Sequence, residues 1–522
     1  MSSITEIETE PQPTKPKKKE NLKQRAYLNS VTSVIDYGAK TITGFIVTPF
    51  IVNGLGSMLF GVWQILGQFA SYTNMADIRV TQVLKWAVAR DRDAKSDEEL
   101  RQYVTATFLL VLLVLPFLLI AGAVITWFAP VITNVDPEYN DIVRITCALL
   151  ILGLIIQKLF GIFESILRGM NLGFKRMGFR AVLFMIGGGL KIAVILLGYG
   201  LIGLALVQIF VALSIGITLY VVVKSNVPWF GWGNVDFKKS LSFLKVSGWF
   251  MGWTGVKLLL TRSDKILLGF FAGPILVTQY VITKYLVNTV QGMVGNVVHG
   301  VIPGMGKLYG NKEYDKLMKV REHVMLLTWL LAVTIGSLVI IFNESFLLLW
   351  IGEGHFAGQV TNVLIIIMIV QFIFSENDRV IVFTTLDISK MVYMGLASAT
   401  ISIGFIAFLV GDYGIIGLCI GLILGRMIMT IGYPSILYNK TGKTFKVSDL
   451  PFRIVCITIL IWTTAIWLNT IFETNSWVDL ILKVVLFGLA FLVIGYFGGL
   501  KNRQRIEIKD YFLKVKFFKK DV

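Results

Sequence analysis

Charged residues are scarce in this chain. Only 16% of its 522 residues are Asp, Glu, Lys or Arg, whereas soluble domains carry roughly 25%. A chain of this length needs a large polar surface to stay soluble in water. The composition therefore excludes the soluble globular classes.

Cysteine and histidine are also rare. The cysteines Cys147, Cys419 and Cys456 all lie in apolar segments, where they indicate neither a disulfide framework nor a metal site. The three histidines do not have metal-ligand spacing. The sequence contains no P-loop, HExxH or paired-carboxylate motif, so it predicts no cofactor and no catalytic centre.

Long apolar runs dominate the sequence instead. Hydrophobic residues make up 55% of the chain, and the mean hydropathy is +0.73. A run of about 20 apolar residues is long enough to cross a bilayer as a helix. The hydropathy pattern predicts an all-α integral membrane protein with about fourteen spans, at 29–52, 59–83, 103–131, 142–167, 180–198, 201–223, 247–271, 275–301, 323–342, 359–384, 391–411, 415–437, 452–472 and 477–499.

The connections between these spans alternate in charge. Basic residues cluster in one set, such as Lys85 to Arg101 and Lys307 to Arg321, while the other set contains no Lys or Arg. Cytoplasmic loops of membrane proteins are enriched in Lys and Arg, which places both termini in the cytoplasm. This enrichment also explains the net charge of +17 better than nucleic-acid binding does.

Short matches indicate an internal repeat. The segment 199-YGLIGLAL-206 resembles 413-YGIIGLCI-420, which is an offset of 214 in the numbering, and matches upstream have an offset of 217. Two parallel six-helix halves explain both values, with a three-residue insertion or deletion near the fourth span. The predicted domains are a disordered basic tail, an N-terminal lobe, a cytoplasmic linker, a C-terminal lobe, an extra helix pair and a basic tail, at 1–24, 25–224, 225–246, 247–439, 452–499 and 500–522.

Charged residues inside the predicted spans are the candidate functional residues. A charge at bilayer depth costs roughly 2.5–3.5 kcal/mol on insertion scales, so it needs water, a partner or a ligand. Cations outnumber acids among these residues, and a buried cationic excess suits a phosphate-bearing substrate. The cations are Lys40, Arg79, Lys158, Lys191, Lys257, Arg262, Lys265, Lys284, Arg379 and Arg426, and the acids are Asp36, Asp77, Glu164, Asp264, Glu376 and Asp378.

Several of these residues have a structural explanation as well. Lys265, Arg79 and Arg379 are also explained by side chains that reach the lipid headgroups. Lys158 and Lys191 are equally consistent with ion pairs between helices. The pairs Asp36–Lys40 and Arg262–Asp264 fit either local latches or a proton site, and the residues alone do not separate these alternatives.

The pattern resembles the polysaccharide flippases of the MOP superfamily (multidrug/oligosaccharidyl-lipid/polysaccharide exporters). Three stretches carry the likeness: 59-LFGVWQIL-66, 262-RSDKILLGFFAGPILVTQYVITKYL-286 and the two YG-x-I-G-L hairpins. The resemblance implies a MATE- and lipid-flippase-like fold. It also implies that an undecaprenyl-diphosphate-linked oligosaccharide, such as an O-antigen unit of lipopolysaccharide, moves to the outer leaflet of the bacterial cytoplasmic membrane. Polysaccharide polymerase and chain-length proteins would be its partners.

Carried over by position, the resemblance predicts a cationic cavity between the halves. Its substrate-binding residues would be Lys40, Arg79, Lys257, Arg262 and Lys284. The acids Asp36, Asp77 and Asp264 would tune these cations or couple transport to H⁺ or Na⁺. The segment 452–499 would form a groove for the lipid tail.

Two other functions compete with this interpretation. A multidrug exporter of the same superfamily usually has twelve spans and an acidic cavity, so fourteen spans and a cationic bias disfavour it. A membrane polymerase or glycosyltransferase usually needs a sizeable extramembrane loop with acidic or Arg-rich catalytic elements. The predicted outer loops are short and contain no Lys or Arg, which disfavours an enzyme.

Overall fold

The computed structural model of the protein describes residues 22–72, 80–91, 94–176, 178–234, 248–385, 388–442 and 452–507. Within these ranges the chain is helical and contains no strand. The helices are α1 Leu22–Tyr72, α2 Val80–Asp91, α3 Asp97–Thr133, α4 Asn140–Gly169, α5 Phe179–Leu196, α6 Gly200–Asn226, α7 Gly248–Ala272, α8 Pro274–Thr283, α9 Tyr285–Gly310, α10 Tyr314–Trp350, α11 Gln359–Thr384, α12 Ser389–Thr441, α13 Phe452–Asn469 and α14 Trp477–Ile494.

The predicted all-α membrane fold is confirmed. Ten helices in the described ranges are long and apolar enough to cross a membrane. Helix α12 contains two predicted spans, and α1 contains one span and the first part of the span 59–83; each run breaks at one glycine, Gly414 or Gly56. The count of fourteen spans stays a prediction.

The backbone repeats with the offsets seen in the sequence. Helix α3 begins at Asp97 and ends at Thr133, and helix α10 begins at Tyr314 and ends at Trp350. Both pairs of ends are 217 residues apart, which is the larger offset of the sequence repeat. Gly56 and Gly273 are related by the same offset and share an unusual conformation, φ 74° and ψ 165° against φ 86° and ψ 165°.

In the later helices of each half, equivalent positions are 214 residues apart, which is the smaller offset of the sequence repeat. It relates Gly200 to Gly414, which have φ 55° and 54°. We call α1–α6 the first lobe and α7–α12 the second lobe; the predicted boundaries of the domains stay predictions.

Several helix boundaries differ from the hydropathy prediction; α10, for example, runs from Tyr314 to Trp350 where the predicted span is 323–342. Helix α3 begins at Asp97, six residues before the predicted span, because Ser96 and Glu99 form a capping box over its polar first turn. Hydropathy does not register such a polar turn. The predicted span 275–301 is divided between α8 and α9 at Lys284.

The lobes pack closely near Gly56, where α1 breaks, and near Gly273, which separates α7 from α8. A Cβ atom at Gly61 would lie 1.9 Å from the Pro274 carbonyl oxygen, so only glycine fits there. The Thr278 hydroxyl donates a hydrogen bond to the Ser57 carbonyl over 2.5 Å. These contacts join the start of α8 to the second half of α1.

A second contact between the lobes depends on a proline. Pro49 has no N–H, so the carbonyl of Phe45, four residues earlier, lacks its usual helical partner. The Trp350 indole N–H donates to that carbonyl over 2.9 Å. The rings of Phe45 and Trp350 also stack, with centroids 5.0 Å apart. The end of α10 therefore covers the gap that the proline leaves in α1.

Candidate functional site

A cavity formed by described residues lies inside the first lobe. It has a volume of about 550 Å³ and is lined by side chains of α1, α4, α5 and α6. Ligand pockets commonly have volumes of about 300–1,000 Å³. The cavity is thus large enough for a polar group of substrate size within the membrane-spanning bundle.

Glycines set the walls of this first-lobe cavity. A Cβ at Gly188 of α5 would lie 2.3 Å from the Thr43 side chain of α1, and one at Gly216 of α6 would lie 2.3 Å from the Phe160 ring of α4. The helix backbones approach closely at these points. The wider gap left between these contacts is the cavity.

Two lysines face the cavity, Lys40 from α1 and Lys191 from α5. Neither makes an ion pair or hydrogen bond with the protein in the part of the chain that the structure describes. They are close enough for the charge of Lys40 to act on the Lys191 ammonium. Glu164 and Arg180 also line the cavity, but they pair with each other at 3.3 Å. The two lysines without an acid partner therefore favour an anionic ligand.

Asp36 does not pair with Lys40. The carboxylate of Asp36 lies 3.2 Å from the Arg176 guanidinium, and Glu164 lies 3.5 Å from the same guanidinium. Glu164 also contacts Arg168 and Arg180, at 2.6 and 3.3 Å. Of the two pairs suggested as latches, Asp36–Lys40 is therefore replaced by a network in which arginines hold both acids. This network leaves Lys40 to the cavity.

The second suggested latch, Arg262–Asp264, is also replaced. Asp264 is buried, accepts a hydrogen bond from the Tyr280 hydroxyl over 2.8 Å, and lies 2.9 Å from the Lys284 ammonium. The Lys284 ammonium also donates to the Tyr280 hydroxyl over 2.7 Å. Lys284 sits at the junction of α8 and α9, so the triad ties that junction to α7. Asp264 thus neutralises Lys284.

Arg262 and Lys265 reach from α7 to the first lobe. The Arg262 guanidinium donates to the Gln68 amide oxygen over 3.3 Å, and the Lys265 ammonium donates to the Gln64 amide oxygen over 2.9 Å. Arg262 is nevertheless exposed, as is Lys257 one and a half turns earlier. Both bonds connect the lobes through neutral glutamines, so neither bond pairs its cation with an acid.

Two acids of α11, Asp378 and Glu376, are held by arginines. Arg321 binds Asp378 through two hydrogen bonds, one of 2.8 Å, and Arg379 binds Glu376 at 2.7 and 2.8 Å. Arg379 is buried between the Trp253 and Phe383 rings, so it does not extend to the headgroups.

The structure therefore distributes the predicted site residues over several environments. Lys40 lines the first-lobe cavity, Arg262 bridges the lobes and Lys284 is neutralised. Arg79 and Asp77 lie outside the described residues.

Two residues that matter here, Arg176 and Lys191, were not among the predicted site residues. Lys191 is visible in the sequence as an intramembrane cation. Arg176 falls in a predicted cytoplasmic connection, where a basic residue is ordinary and gives no signal of a site.

No group of three or more His, Cys, Asp or Glu side chains in the described ranges is arranged to hold a metal ion. Outside the predicted spans, one carboxyl has a strongly altered pKa. The hydrogen bonds from the Arg90 guanidinium lower the pKa of Asp91 to about 2, with help from the Tyr103 hydroxyl.

Comparisons with known proteins agree with this architecture. The sequence model of the family described as "Polysaccharide biosynthesis protein" matches residues 29–309. Comparison with curated proteins finds no significant match.

Similar solved structures share the fold at low identity. The inward closed conformation of the lipid II flippase MurJ is 13% identical with a TM-score of 0.68, over 90% of this chain and 98% of that one. An inward-facing multidrug resistance MATE transporter is 13% identical with a TM-score of 0.56, over 82% and 100%. A MOP superfamily transporter from Pyrococcus furiosus, described by a binding pocket of reverse polarity, is 14% identical with a TM-score of 0.52, over 81% and 96%. These structures show that the chain has the fold of MOP superfamily proteins.

Proposed function

The chain belongs to the polysaccharide biosynthesis protein family, and from that premise we propose that it is a lipid-linked oligosaccharide flippase. Its substrate is an oligosaccharide joined to a polyprenyl carrier through a diphosphate. The protein moves this substrate from the inner to the outer leaflet of the bacterial cytoplasmic membrane, with both of its termini in the cytoplasm. The product feeds surface polysaccharide synthesis, such as that of O-antigen, where a polymerase and chain-length proteins act on it.

One observation carries the proposal: two lysines without a protein partner in the described ranges, Lys40 and Lys191, face a cavity inside the membrane-spanning bundle. A diphosphate supplies the negative charge that these ammonium groups require. An organic cation, the usual substrate of a multidrug exporter, would be repelled there.

Transport follows from exposing this cavity to one side of the membrane at a time. Sugars cannot cross hydrocarbon, so they need a polar path while the polyprenyl tail stays in the bilayer. The bridges from Arg262 to Gln68 and from Lys265 to Gln64 join the lobes and must rearrange when the lobes move. We include H⁺ and Na⁺ as the candidate coupling ions, with Asp36 and Asp264 as the acids within the described residues that would sense them.

The test is deletion of the gene followed by analysis of lipid-linked sugars. We expect the deletion strain to lose surface polysaccharide and to accumulate lipid-linked oligosaccharide on the cytoplasmic face of the membrane. Wild-type protein should reverse both effects. Lys40→Ala should fail to reverse them at equal protein abundance, while the control Lys316→Ala, at an exposed site outside the cavity, should succeed. Altered drug tolerance with normal lipid-linked sugars would contradict the proposal and favour an exporter.

A further inference from the structure

The first-lobe cavity contains neutral hydrogen-bonding groups as well as lysines. Gln157 of α4 and Gln208 of α6 both line it, as does Trp63 of α1. Neither glutamine amide makes a hydrogen bond to the protein within the described ranges, nor does the Trp63 indole N–H. Polar groups inside a protein are normally hydrogen-bonded. These groups are therefore available to a ligand.

The second lobe has different residues at the equivalent positions. With the offset that relates Gly200 to Gly414, Gln208 corresponds to Leu422 and Ala212 to Arg426. Arg426 is buried, donates to the Leu260 carbonyl over 2.7 Å and lies over the Phe372 ring. The volume that is open beside Ala212 in the first lobe thus holds an arginine side chain in the second.

The glutamine on α4 shows the same contrast. Gln157 corresponds to Gln371 with that offset, and the Gln371 amide donates to the Ile423 carbonyl over 3.0 Å. The second lobe therefore uses its glutamine to join two helices. The first lobe keeps the same side chain in a cavity, which a purely structural role does not explain.

The chemistry of the lining suits a sugar ring. A glutamine amide both donates and accepts hydrogen bonds, which matches hydroxyl and acetamido groups. An indole offers a flat apolar face together with one N–H donor. A few polar groups placed among apolar and aromatic side chains fix the orientation of a ligand.

We infer that the first-lobe cavity binds the saccharide part of the substrate, with Gln157 and Gln208 hydrogen-bonded to sugar hydroxyl or acetamido groups and Trp63 packed on a pyranose ring. Lys40 and Lys191 then face the adjoining diphosphate. The inference rests on the proposed function and deepens it, since it assigns specificity for the sugar to α4 and α6 of one lobe.

The test compares binding of two lipids to the purified full-length protein in detergent. One is the lipid-linked oligosaccharide extracted from the deletion strain, and the other is polyprenyl diphosphate without sugar. The double variant Gln157→Met, Gln208→Met removes the amides while nearly preserving volume. Loss of two neutral hydrogen bonds should weaken binding of the glycosylated lipid about thirtyfold and leave binding of the sugar-free lipid unchanged.

Two controls keep the outcomes separate. Lys191→Gln should weaken binding of both lipids by the same factor, because the diphosphate is common to them. Gln279→Met, which lies outside the cavity, should bind both lipids as wild type does. Equal loss for both lipids in the double variant, or no loss for the glycosylated lipid, would overturn the inference while leaving the flippase intact. Absence of any glycosylated lipid in the deletion strain would overturn the proposed function itself, and the sugar site with it.

Discussion

The two lobes share a backbone plan and differ in what fills their interiors. In the first lobe, Lys40, Lys191 and Gln208 face a cavity of about 550 Å³. In the second lobe, Asp264 is bonded to Lys284, and Arg426 occupies the space equivalent to that beside Ala212. The larger repeat offset relates Lys40 to Lys257, so the lysine is retained while its surroundings change. The two lobes thus share one backbone plan, and at these equivalent positions the first lobe has an open cavity where the second has a buried arginine.

Placing an arginine in the first-lobe cavity, as Arg426 is placed in the second lobe, should have the largest effect on transport. Ala212→Arg places a long cation in the cavity, so we expect transport to be abolished, measured as lipid-linked oligosaccharide that accumulates in the complemented deletion strain. The protein should still be present in the membrane, because the new guanidinium can project into the cavity. Arg426→Ala is the reciprocal change and should reduce stability more than it affects binding. Full transport by Ala212→Arg would show that the cavity is not on the path.

Breaking the Asp264–Lys284 pair should mainly destabilise the second lobe. Lys284→Ala leaves a buried carboxylate without its cation, which typically costs about 3–5 kcal/mol. We expect a clear fall in Tm of the purified protein. The double variant Asp264→Asn, Lys284→Ala removes both charges and should recover most of the loss. A double variant no more stable than the single one would show that the pair is not the source of the effect.

Loss of the contact between Trp350 and Phe45, which joins the lobes, should reduce stability less than loss of the charge pair inside the second lobe. Trp350→Phe keeps an aromatic ring on Phe45 but removes the N–H donor, at a cost of about 1 kcal/mol. In a Pro49→Ala background the backbone amide gained at position 49 can bond the Phe45 carbonyl within α1, so the same change should cost less. Thermal unfolding of the four proteins in this cycle measures the coupling. Independent effects would contradict the role assigned to Pro49.

The smallest effect concerns the ion pair at the end of α2. The pKa of Asp91 is lowered to about 2, so its bonds to Arg90 stabilise the fold above the ordinary carboxyl pKa. That contribution is lost as the pH falls from about 4 toward 2. Asp91→Asn should flatten the pH dependence of Tm in this window, and Arg90→Ala should flatten it partly. An unchanged profile in Asp91→Asn would contradict the assignment.

The sequence predicted the helical membrane fold, the repeat and the positions of most intramembrane charges. The apolar composition and the helical period determine those features, and the equivalent glycines Gly200 and Gly414 made the repeat recognisable in the sequence. The partners of the charges could not be predicted, because they depend on how separate helices pack. Asp36 is four residues from Lys40 yet pairs with Arg176, on the connection between α4 and α5. A fixed helical spacing shows which side chains share a face, but not which other helix covers that face.

The cavity itself also escaped prediction. It exists because Gly188 and Gly216 bring helices together on either side of it, and hydropathy does not distinguish a close glycine contact from a gap. Lys191 was visible as a charge in an apolar span, but its lack of a partner within the described ranges appears only in three dimensions.

The most direct measurement is the accessibility of equivalent positions in the two lobes. Cys147, Cys419 and Cys456 are first replaced, and a single cysteine is then introduced as Gln208→Cys or Leu422→Cys. A small membrane-impermeant thiol reagent should label the first variant in the purified protein, and lipid-linked oligosaccharide from the deletion strain should protect it. Leu422→Cys, buried in the second lobe, should not react. Equal labelling at both positions, or labelling of Gln208→Cys that the lipid does not reduce, would contradict a substrate site in the first lobe.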